Sequence, residues 1–535
     1  MKDGMVDSVN NVSATEEHGG VYWLFVHSRN RGGDFLKTHK KGCILGALLG
    51  GAILGMLRPV LHPHLIAVRT HLVMFAVPIV ATVLFFLALK RAWSWKIKAV
   101  VTLLYFLFAT GTFLWGKEAH TYVALWYRYR TLPIVELSEL PATGHERIQP
   151  LNSIHSLAYE VMAETERPMT PDFVRINGEY KWTLAIEPGY PVSRIFRGIR
   201  EVFVLSGTAP APTFSNENRV RVSFETGEGL LLGRNTVTCA IRTFGLGRFF
   251  NYEPGRTTHF TDENGKMVQA VSLVRWRGII FPRPEFGGVQ LIRQSEQNVW
   301  SHTKRMLIGC GEWVRPEEVA RHAFLKGQGL LPYKVSRYIA NSFRFQNGFF
   351  APMPGYHLGD IKIPDLPEDI NDQPFTTYFE DAASGVPGKL YHYFALEPYD
   401  PDKQGLNTSV LVQADGSPAI FAVKHFKRGG SLTGVSAIAP KIRESRKIYD
   451  WTRNRPVEHR PFVRTLEGKK RVFWFTTVVT LKDEKGTRFI AGGNPDIVIT
   501  DAAYNVPVWV NPLAPDTWEE QIKKELALTW KANER

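Results

Sequence analysis

The sequence LVMFAVPIVATVLFFLAL, residues 72–89, runs for eighteen positions without a charged residue. A run of this length and composition is typical of a helix that crosses the hydrocarbon core of a membrane. A later run, 97–116, has no charge after Lys98, and an earlier one extends from Gly42 to about Leu57, where Arg58 and Pro59 interrupt it. We therefore predict a three-helix transmembrane anchor within residues 42–116. For the first run, a re-entrant or interfacial segment is the alternative.

Basic residues near these runs predict an orientation. They cluster before the first run (Arg29, Arg31, Lys37, Lys40, Lys41) and between the second and third (Lys90, Arg91, Lys96, Lys98). Short loops rich in Lys and Arg stay on the cytoplasmic side. We predict a bacterial inner-membrane protein with a cytoplasmic tail, residues 1–41, and an extracytoplasmic region after Gly116. The inverted topology would leave a cytoplasmic nucleic-acid binder, so nucleic acid is not excluded as a partner.

Glycines recur every four residues in the first run. Gly42, Gly46 and Gly50 form one series, and Gly51 and Gly55 form another. Glycine at this spacing lets a second helix approach closely inside a membrane. The pattern predicts either a homo- or hetero-oligomer assembled through this helix or packing against the protein's own membrane helices.

The remainder of the chain is predicted to form an α+β region dominated by strands. Asn177-Gly178, Asn264-Gly265, Asn347-Gly348 and Asp415-Gly416 carry the chemistry of hairpin turns. Amphipathic helices are predicted near 154–162, from Pro316, over 332–341 and at the carboxyl end, where Trp518, Ile522, Leu526 and Trp530 form one stripe. The predicted units are two α+β modules, 117–312 and 313–515, and a terminal amphipathic helix, 516–535.

The length and the residue composition exclude several classes of fold and of metal site. A chain of 535 residues is too long for one compact core, and its 3 cysteines exclude a disulfide framework or a zinc ribbon. Cys239 and Cys310 are a possible disulfide in the outer region, with two buried thiols as the alternative. His62, His64 and His71 lie close together without a carboxylate or cysteine, so we predict an interfacial loop and no metal site, with metal binding or pH sensing as the alternative. No motif predicts a cofactor.

The most informative charge pattern lies between Lys424 and Arg471. Fourteen Lys and Arg face four acids in these 48 residues, whereas the whole chain carries +14. Such a field attracts anionic lipids, glycans or acidic proteins. The alternative is a solvated face whose interleaved aromatic residues belong to the core. The residues predicted to bind an anionic partner are Lys424, Lys427, Arg428, Arg443, Arg446, Arg453, Arg455, Arg460 and Arg464.

Two functions fit these features. The first is a non-enzymatic, membrane-anchored envelope protein whose outer domain serves binding or assembly, as part of a multiprotein complex. The alternative is a membrane-anchored enzyme that acts on an envelope polymer through acids such as Glu380, Asp381, Asp496 or Asp501. Glycoside chemistry needs two such carboxylates facing each other, and the sequence favours no pair.

Overall fold

The structure is a computed structural model that describes residues 40–91, 94–210, 212, 214–295, 299–366, 373–417, 419–425, 432–484, 487–490 and 495–533. Most of the predicted cytoplasmic tail, residues 1–39, lies outside the described residues. The chain divides into two compact units, one ending at Leu57 and the other beginning at Arg58. The second unit contains all of the strands below, so the molecule is a mixed α+β protein, as predicted.

Two antiparallel sheets come first along the chain. The first sheet contains the strands Glu166–Pro168, Asp172–Ile176, Glu179–Pro188, Ile199–Ser206 and Arg219–Phe224. The second sheet contains Tyr252–Thr261, Met267–Arg277, Arg283–Ile292 and Glu312–Val314. Val174 and Ile176 of the first sheet share a buried apolar cluster with Phe260, Val268 and Val289 of the second. The two sheets therefore pack on each other.

The central sheet joins early and late parts of the chain. Its strands are Ile134–Leu137, Ala142–Gly144, Ile361–Lys362, Phe375–Asp381, Val386–Pro398, Thr408–Gln413 and Ile420–Lys424. The strand Ile134–Leu137 pairs in parallel with Ile420–Lys424. The other strands of this sheet pair with each other in antiparallel fashion. The predicted module boundaries remain a prediction, but strands from both predicted modules lie in this sheet.

The last sheet closes the layered core. Its strands are Asn454–Leu466, Lys469–Glu484, Thr487–Ile490, Asp496–Asp501 and Pro507–Val510, and a separate pair joins Gly405–Leu406 to Leu432–Thr433. Trp474 and Val498 of the last sheet pack against Tyr393 and Phe421 of the central sheet. On the opposite face of the last sheet, Ile522 and the other residues of the predicted terminal stripe are buried.

Some of the helices pack on these sheets, whereas Leu72–Arg91 has no buried residue. Within the described residues the helices are Lys40–Thr70, Leu72–Arg91, Trp95–Arg130, Leu151–Val161, Pro191–Phe196, Thr236–Thr243, Leu246–Phe249, Val299–Ile308, Pro316–Val319, Tyr333–Ser342, Ile438–Ser445 and Trp518–Asn533. Short 3-10 turns occur at Asn216–Asn218, Phe343–Phe345, Val435–Ala437 and Pro515–Thr517. Val335 and Ile339 of the helix Tyr333–Ser342 pack on the central sheet, on the face away from the last sheet.

The prediction of three membrane helices needs correction. Among the described residues, only the helix Leu72–Arg91 is by itself long and apolar enough to cross a membrane. The helix Trp95–Arg130 qualifies only as a bent pair, Trp95–Thr112 and Trp115–Arg130, whose parts meet at 60°. The helix Lys40–Thr70 does not qualify. It continues through Arg58 and Pro59, where a loop was expected.

Polar contacts explain why the later part of that helix is not an apolar span. Arg58 donates hydrogen bonds to the carbonyl oxygens of Arg242 and Phe244. His62 Nε2 donates to the carbonyl oxygen of Tyr252 at 2.8 Å. The segment from Arg58 to Thr70 therefore packs on the second sheet and its neighbouring helix, and the predicted interfacial loop with His62, His64 and His71 is wrong.

Candidate functional site

Seven of the nine basic residues predicted to bind an anionic partner belong to the described part of the chain, and they lie on separate elements. Lys424 pairs with Glu136 of the neighbouring parallel strand. Arg460 is buried, lies 3.6 Å from Glu458 and covers the Phe475 ring. Lys427 and Arg428 lie outside the described residues. The described positions do not form one continuous face, because they lie on different elements and Arg460 is buried.

Arg464 also forms hydrogen bonds and ion pairs with other residues of the protein. Its guanidinium donates to the carbonyl oxygen of Thr143 at 2.7 Å and pairs with Glu146 at 2.7 Å. A further ion pair, 3.3 Å long, joins it to Glu519 of the terminal helix. Arg464 therefore connects three parts of the chain, which is a structural role.

The four remaining residues, Arg443, Arg446, Arg453 and Arg455, lie within thirteen positions. The segment forms the end of the helix Ile438–Ser445, an exposed turn and the start of the strand Asn454–Leu466. We call residues 443–455, together with Trp509, the basic–aromatic corner.

Aromatic side chains build this corner. The ring centroids of Tyr449 and Trp451 are 4.8 Å apart, and those of Tyr449 and Trp509 are 5.6 Å apart. The Arg446 guanidinium lies 3.8 Å from the centroid of the Trp509 ring. Stacking of this kind holds a guanidinium in place while leaving its donors free for an anionic group. Ile448 stands fully exposed on the turn.

Hydrogen bonds fix the aromatic residues in place. The Tyr449 hydroxyl donates to the Asp496 carboxylate, and burial together with that carboxylate raises the pKa of Tyr449. Trp509 Nε1 donates to Ser445 Oγ at 3.1 Å. The phenol therefore stays neutral at physiological pH, and the corner presents a rigid base for its arginines. Two aromatic residues that the sequence interleaves with this cluster, Phe462 and Trp474, belong to the buried core instead.

The four acids considered for an enzyme have separate structural partners. Glu380 accepts from the Tyr378 hydroxyl at 2.9 Å, and Asp501 accepts from Trp530 Nε1 at 2.9 Å. Burial would raise the pKa of Asp381, but hydrogen bonds from Lys470 and Ser384 hold it below its usual value. A carboxylate that is kept ionised in this way is poorly suited to act as a general acid. Asp496 accepts the Tyr449 hydrogen bond described above.

The sequence also predicted a possible disulfide, a glycine-rich helix surface and the absence of a metal site. Cys239 and Cys310 are joined in a disulfide, with Cα atoms 5.4 Å apart. Gly42, Gly46, Gly50, Gly51 and Gly55 all lie in the helix Lys40–Thr70. Apart from the adjoining backbone of this helix, no atom of the described residues lies within 4 Å of where a Cβ of residue 55 would stand. Helix association through these glycines stays a prediction. In the described part of the chain, His, Cys, Asp and Glu form no group suited to hold a metal ion.

Sequence reasoning missed a second basic cluster, which lies between the second sheet and two helices. Arg234, Arg242 and Arg305 are each less than a tenth exposed, and Arg248 lies beside them. These residues are separated by up to 71 positions in the sequence, so no local charge density marks them. Only the fold brings them together.

Comparison of the chain with protein-family models, with curated proteins and with solved structures gives no match.

Proposed function

We propose that the protein is anchored in a membrane by a helical hairpin and that its large domain serves binding or assembly. The main observation in favour of a membrane anchor is the helix Leu72–Arg91. It is twenty residues long, and none of its residues is buried by the rest of the protein. A core helix of a soluble protein would be covered, whereas an uncovered apolar helix of this length is typical of a lipid environment, which supports the proposal.

The hairpin partner is the first part of the helix Trp95–Arg130. The Thr82 and Tyr105 hydroxyls lie 2.9 Å apart, and the Phe85 and Tyr105 rings stack with centroids 4.3 Å apart. Residues Trp95–Thr112 extend over about 27 Å at 1.5 Å per residue, close to the thickness of the hydrocarbon core.

Contacts of the flanking segments support two crossings. Arg58 and His62, before the first crossing, hydrogen-bond to backbone groups of residues 242–252 in the large domain. Both ends of the hairpin therefore lie on one side of the membrane, which requires an even number of crossings between them. Lys90, Arg91, Lys96 and Lys98 lie in or beside the connecting turn, which favours a cytoplasmic turn and an extracytoplasmic domain in a bacterial inner membrane.

Cysteine accessibility tests this topology. Single cysteines replace Ser94 in the turn and Ser384 in the domain of a chain whose Cys43 is changed to Ser. A maleimide that cannot cross membranes should label Ser384→Cys in intact cells and Ser94→Cys only after lysis. Labelling of both positions in intact cells, or the reverse pattern, would contradict the hairpin.

We propose the basic–aromatic corner as the contact for an anionic partner, which could be a lipid, a glycan or an acidic protein. Arg446, Arg453 and Arg455 belong to it, and basic side chains near an anionic surface each contribute about 1 kcal/mol. The triple substitution of these residues by Gln should elute from a heparin column at clearly lower salt than the wild type.

The matched control changes the same number of charges elsewhere. Lys523, Lys524 and Lys531 are exposed on the terminal helix, away from the corner's aromatic residues. Their triple substitution by Gln should shift elution much less. Equal shifts for the two triple variants would show that heparin responds to net charge alone, and the corner would lose its proposed role.

A further inference from the structure

A cavity of about 500 Å³ lies between the helix Val299–Ile308 and the second sheet. Ser301, Lys304, Arg305 and Ile308 line it from one face of that helix. The disulfide between Cys239 and Cys310 joins the end of this helix region to the helix Thr236–Thr243, whose Thr243 also lines the cavity. The walls are thus held together covalently. We call this space the arginine cavity.

The charge lining the arginine cavity is mostly positive. Arg248, Arg293, Lys304 and Arg305 face one carboxylate, that of Glu225. Arg293 is engaged by Asp262 at 3.0 Å. Glu225 pairs with Arg305 and accepts from Ser301 Oγ at 2.8 Å. Among the described residues that line the cavity, one internal acid therefore leaves at least two cationic side chains, Arg248 and Lys304, without an acidic partner.

Several buried donors in this region have no hydrogen-bond partner among the residues that the structure describes. Arg305 is 7% exposed, and its Nε makes no hydrogen bond. Arg248 Nη1 is also buried without a partner, although Nη2 of the same residue donates to the carbonyl oxygen of Thr243 at 3.1 Å. An unsatisfied buried donor of a charged group is costly. Because Arg248 and Arg305 both line the cavity, an anion bound there would offset the cost of these poorly solvated guanidinium groups.

Further arginines behind the wall raise the positive potential. Arg234 and Arg242 lie near His302 of the same helix, and burial followed by their charges lowers the pKa of His302. Burial also lowers the pKa of Arg305, to about 10. The fold thus concentrates positive charge where it is poorly solvated, and an anion in the cavity would relieve this cost.

We propose that the arginine cavity binds the phosphoryl group of a small phosphorylated ligand, through Arg248, Lys304 and Arg305. Guanidinium groups present planar sets of donors that match phosphate oxygens, and the uncompensated charges match a dianion. The volume exceeds that of a phosphate ion, so it admits the group to which the phosphate is attached. This site is distinct from the basic–aromatic corner, and either proposal can fail without the other.

Calorimetric titration of the full-length protein in non-ionic detergent tests the proposal. The ligands are inorganic phosphate and dihexanoyl phosphatidic acid, which carry the same chemistry in free and lipid form. We expect Arg248→Gln to weaken binding about tenfold or more, the scale of one lost hydrogen bond to a charged group. Arg321→Gln, an exposed arginine outside the cavity lining, is the control and should bind like the wild type.

Glu225→Gln gives a test in the opposite direction. It removes the carboxylate that competes for Arg305, so we expect severalfold tighter binding, which a merely structural role of Glu225 would not produce. Arg305→Gln should weaken binding, but this buried residue also supports the fold, so Arg248 and Glu225 decide the outcome.

Each outcome of these titrations either supports or overturns the proposed phosphoryl site. Phosphate binding that follows this variant pattern supports the proposal, and the same pattern seen only with the lipid form supports it with a lipid headgroup as the source. Absence of binding by the wild type to both ligands would overturn it. So would equal affinities of Arg248→Gln and Arg321→Gln, or unchanged affinity in Glu225→Gln.

Discussion

Glu187 is a carboxylate whose surroundings disfavour its charge. The residue is 1% exposed, and Oε1 accepts a hydrogen bond from the Gly229 amide at 3.1 Å. Oε2 has no hydrogen-bond partner within the described ranges of the chain. Burial raises the pKa of Glu187, and the Gly229 amide only partly opposes this effect. The folded state therefore holds a proton on this group at pH values where the unfolded chain has released it.

This shift predicts a pH dependence of stability. Because the folded-state pKa is raised, the contribution of Glu187 is fully present below its unfolded-state pKa of 4.5 and is lost as the pH rises through the folded-state value. We expect Glu187→Gln to raise Tm at pH 7.5 and to change it little at pH 4. Thermal unfolding at several pH values measures this, with the exposed Glu217→Gln as control. Parallel pH profiles for the wild type and Glu187→Gln would contradict the prediction.

The arginines show how far the sequence predicts a site at this scale. The density of charge between Lys424 and Arg471 is visible in the sequence, but Arg460 and Arg464 make internal ion pairs because strand alternation turns them inward. Arg248 and Arg305 carry no local signal, and the arginine cavity depends on tertiary packing. Local spacing predicts which residues share a face of one element, not which elements meet.

At the scale of elements, the terminal helix Trp518–Asn533 gives a direct test of packing. Leu526 is fully buried against the last sheet, whereas Leu528, two positions later, is 80% exposed. Leu526→Ala should therefore lower the free energy of unfolding by about 2–5 kcal/mol. Urea unfolding of the domain measures this, and Leu528→Ala should have little effect. Equal effects of the two substitutions would show that the helix does not pack as described.

The disulfide gives a second prediction at this scale. Cys239 and Cys310 enclose a loop of 71 positions, and a crosslink of this kind typically contributes about 2–4 kcal/mol. Maleimide labelling of the denatured protein should modify one cysteine without reductant and all 3 with it. Changing both residues to Ala should lower Tm. Three labelled cysteines in the unreduced protein would rule out the bridge.

Elements with strong local signals were predicted well. Asn177 and Gly178 adopt φ values of 52° and 87°, and they connect the hairpin Asp172–Ile176 to Glu179–Pro188 as expected. Asn347-Gly348 instead follows the 3-10 turn Phe343–Phe345 and joins no strands. An Asn-Gly pair predicts the backbone conformation of a turn, whereas a hairpin also needs two flanking strands that pair with each other. The extension of the helix Lys40–Thr70 was missed because Pro59 suggested an end, although tertiary contacts sustain it.

At the scale of the whole molecule, the helix Trp95–Arg130 links the proposed anchor to the domain core. Its last turn leads directly into Ile134–Leu137, the parallel strand of the central sheet. Tyr129 packs against Phe343 with ring centroids 5.5 Å apart, and Arg128 lies 3.9 Å from Glu285 of the second sheet. The final part of this helix therefore belongs to the domain, and the anchor joins a rigid element instead of a free linker.

Truncation tests this continuity. The Tyr122 ring contacts those of Phe345 and Phe349 at 4.8 and 5.1 Å, and Trp126 contacts Phe349 at 5.3 Å. Such aromatic pairs contribute about 0.5–1.5 kcal/mol each beyond their buried area. A chain that begins at residue 133 should therefore melt at a lower temperature and associate more readily than one that begins at residue 117, as measured by thermal unfolding and size-exclusion chromatography. Trp126→Ala in the longer chain should reproduce part of the loss, and identical behaviour of the two truncated chains would show that the helix is only a tether.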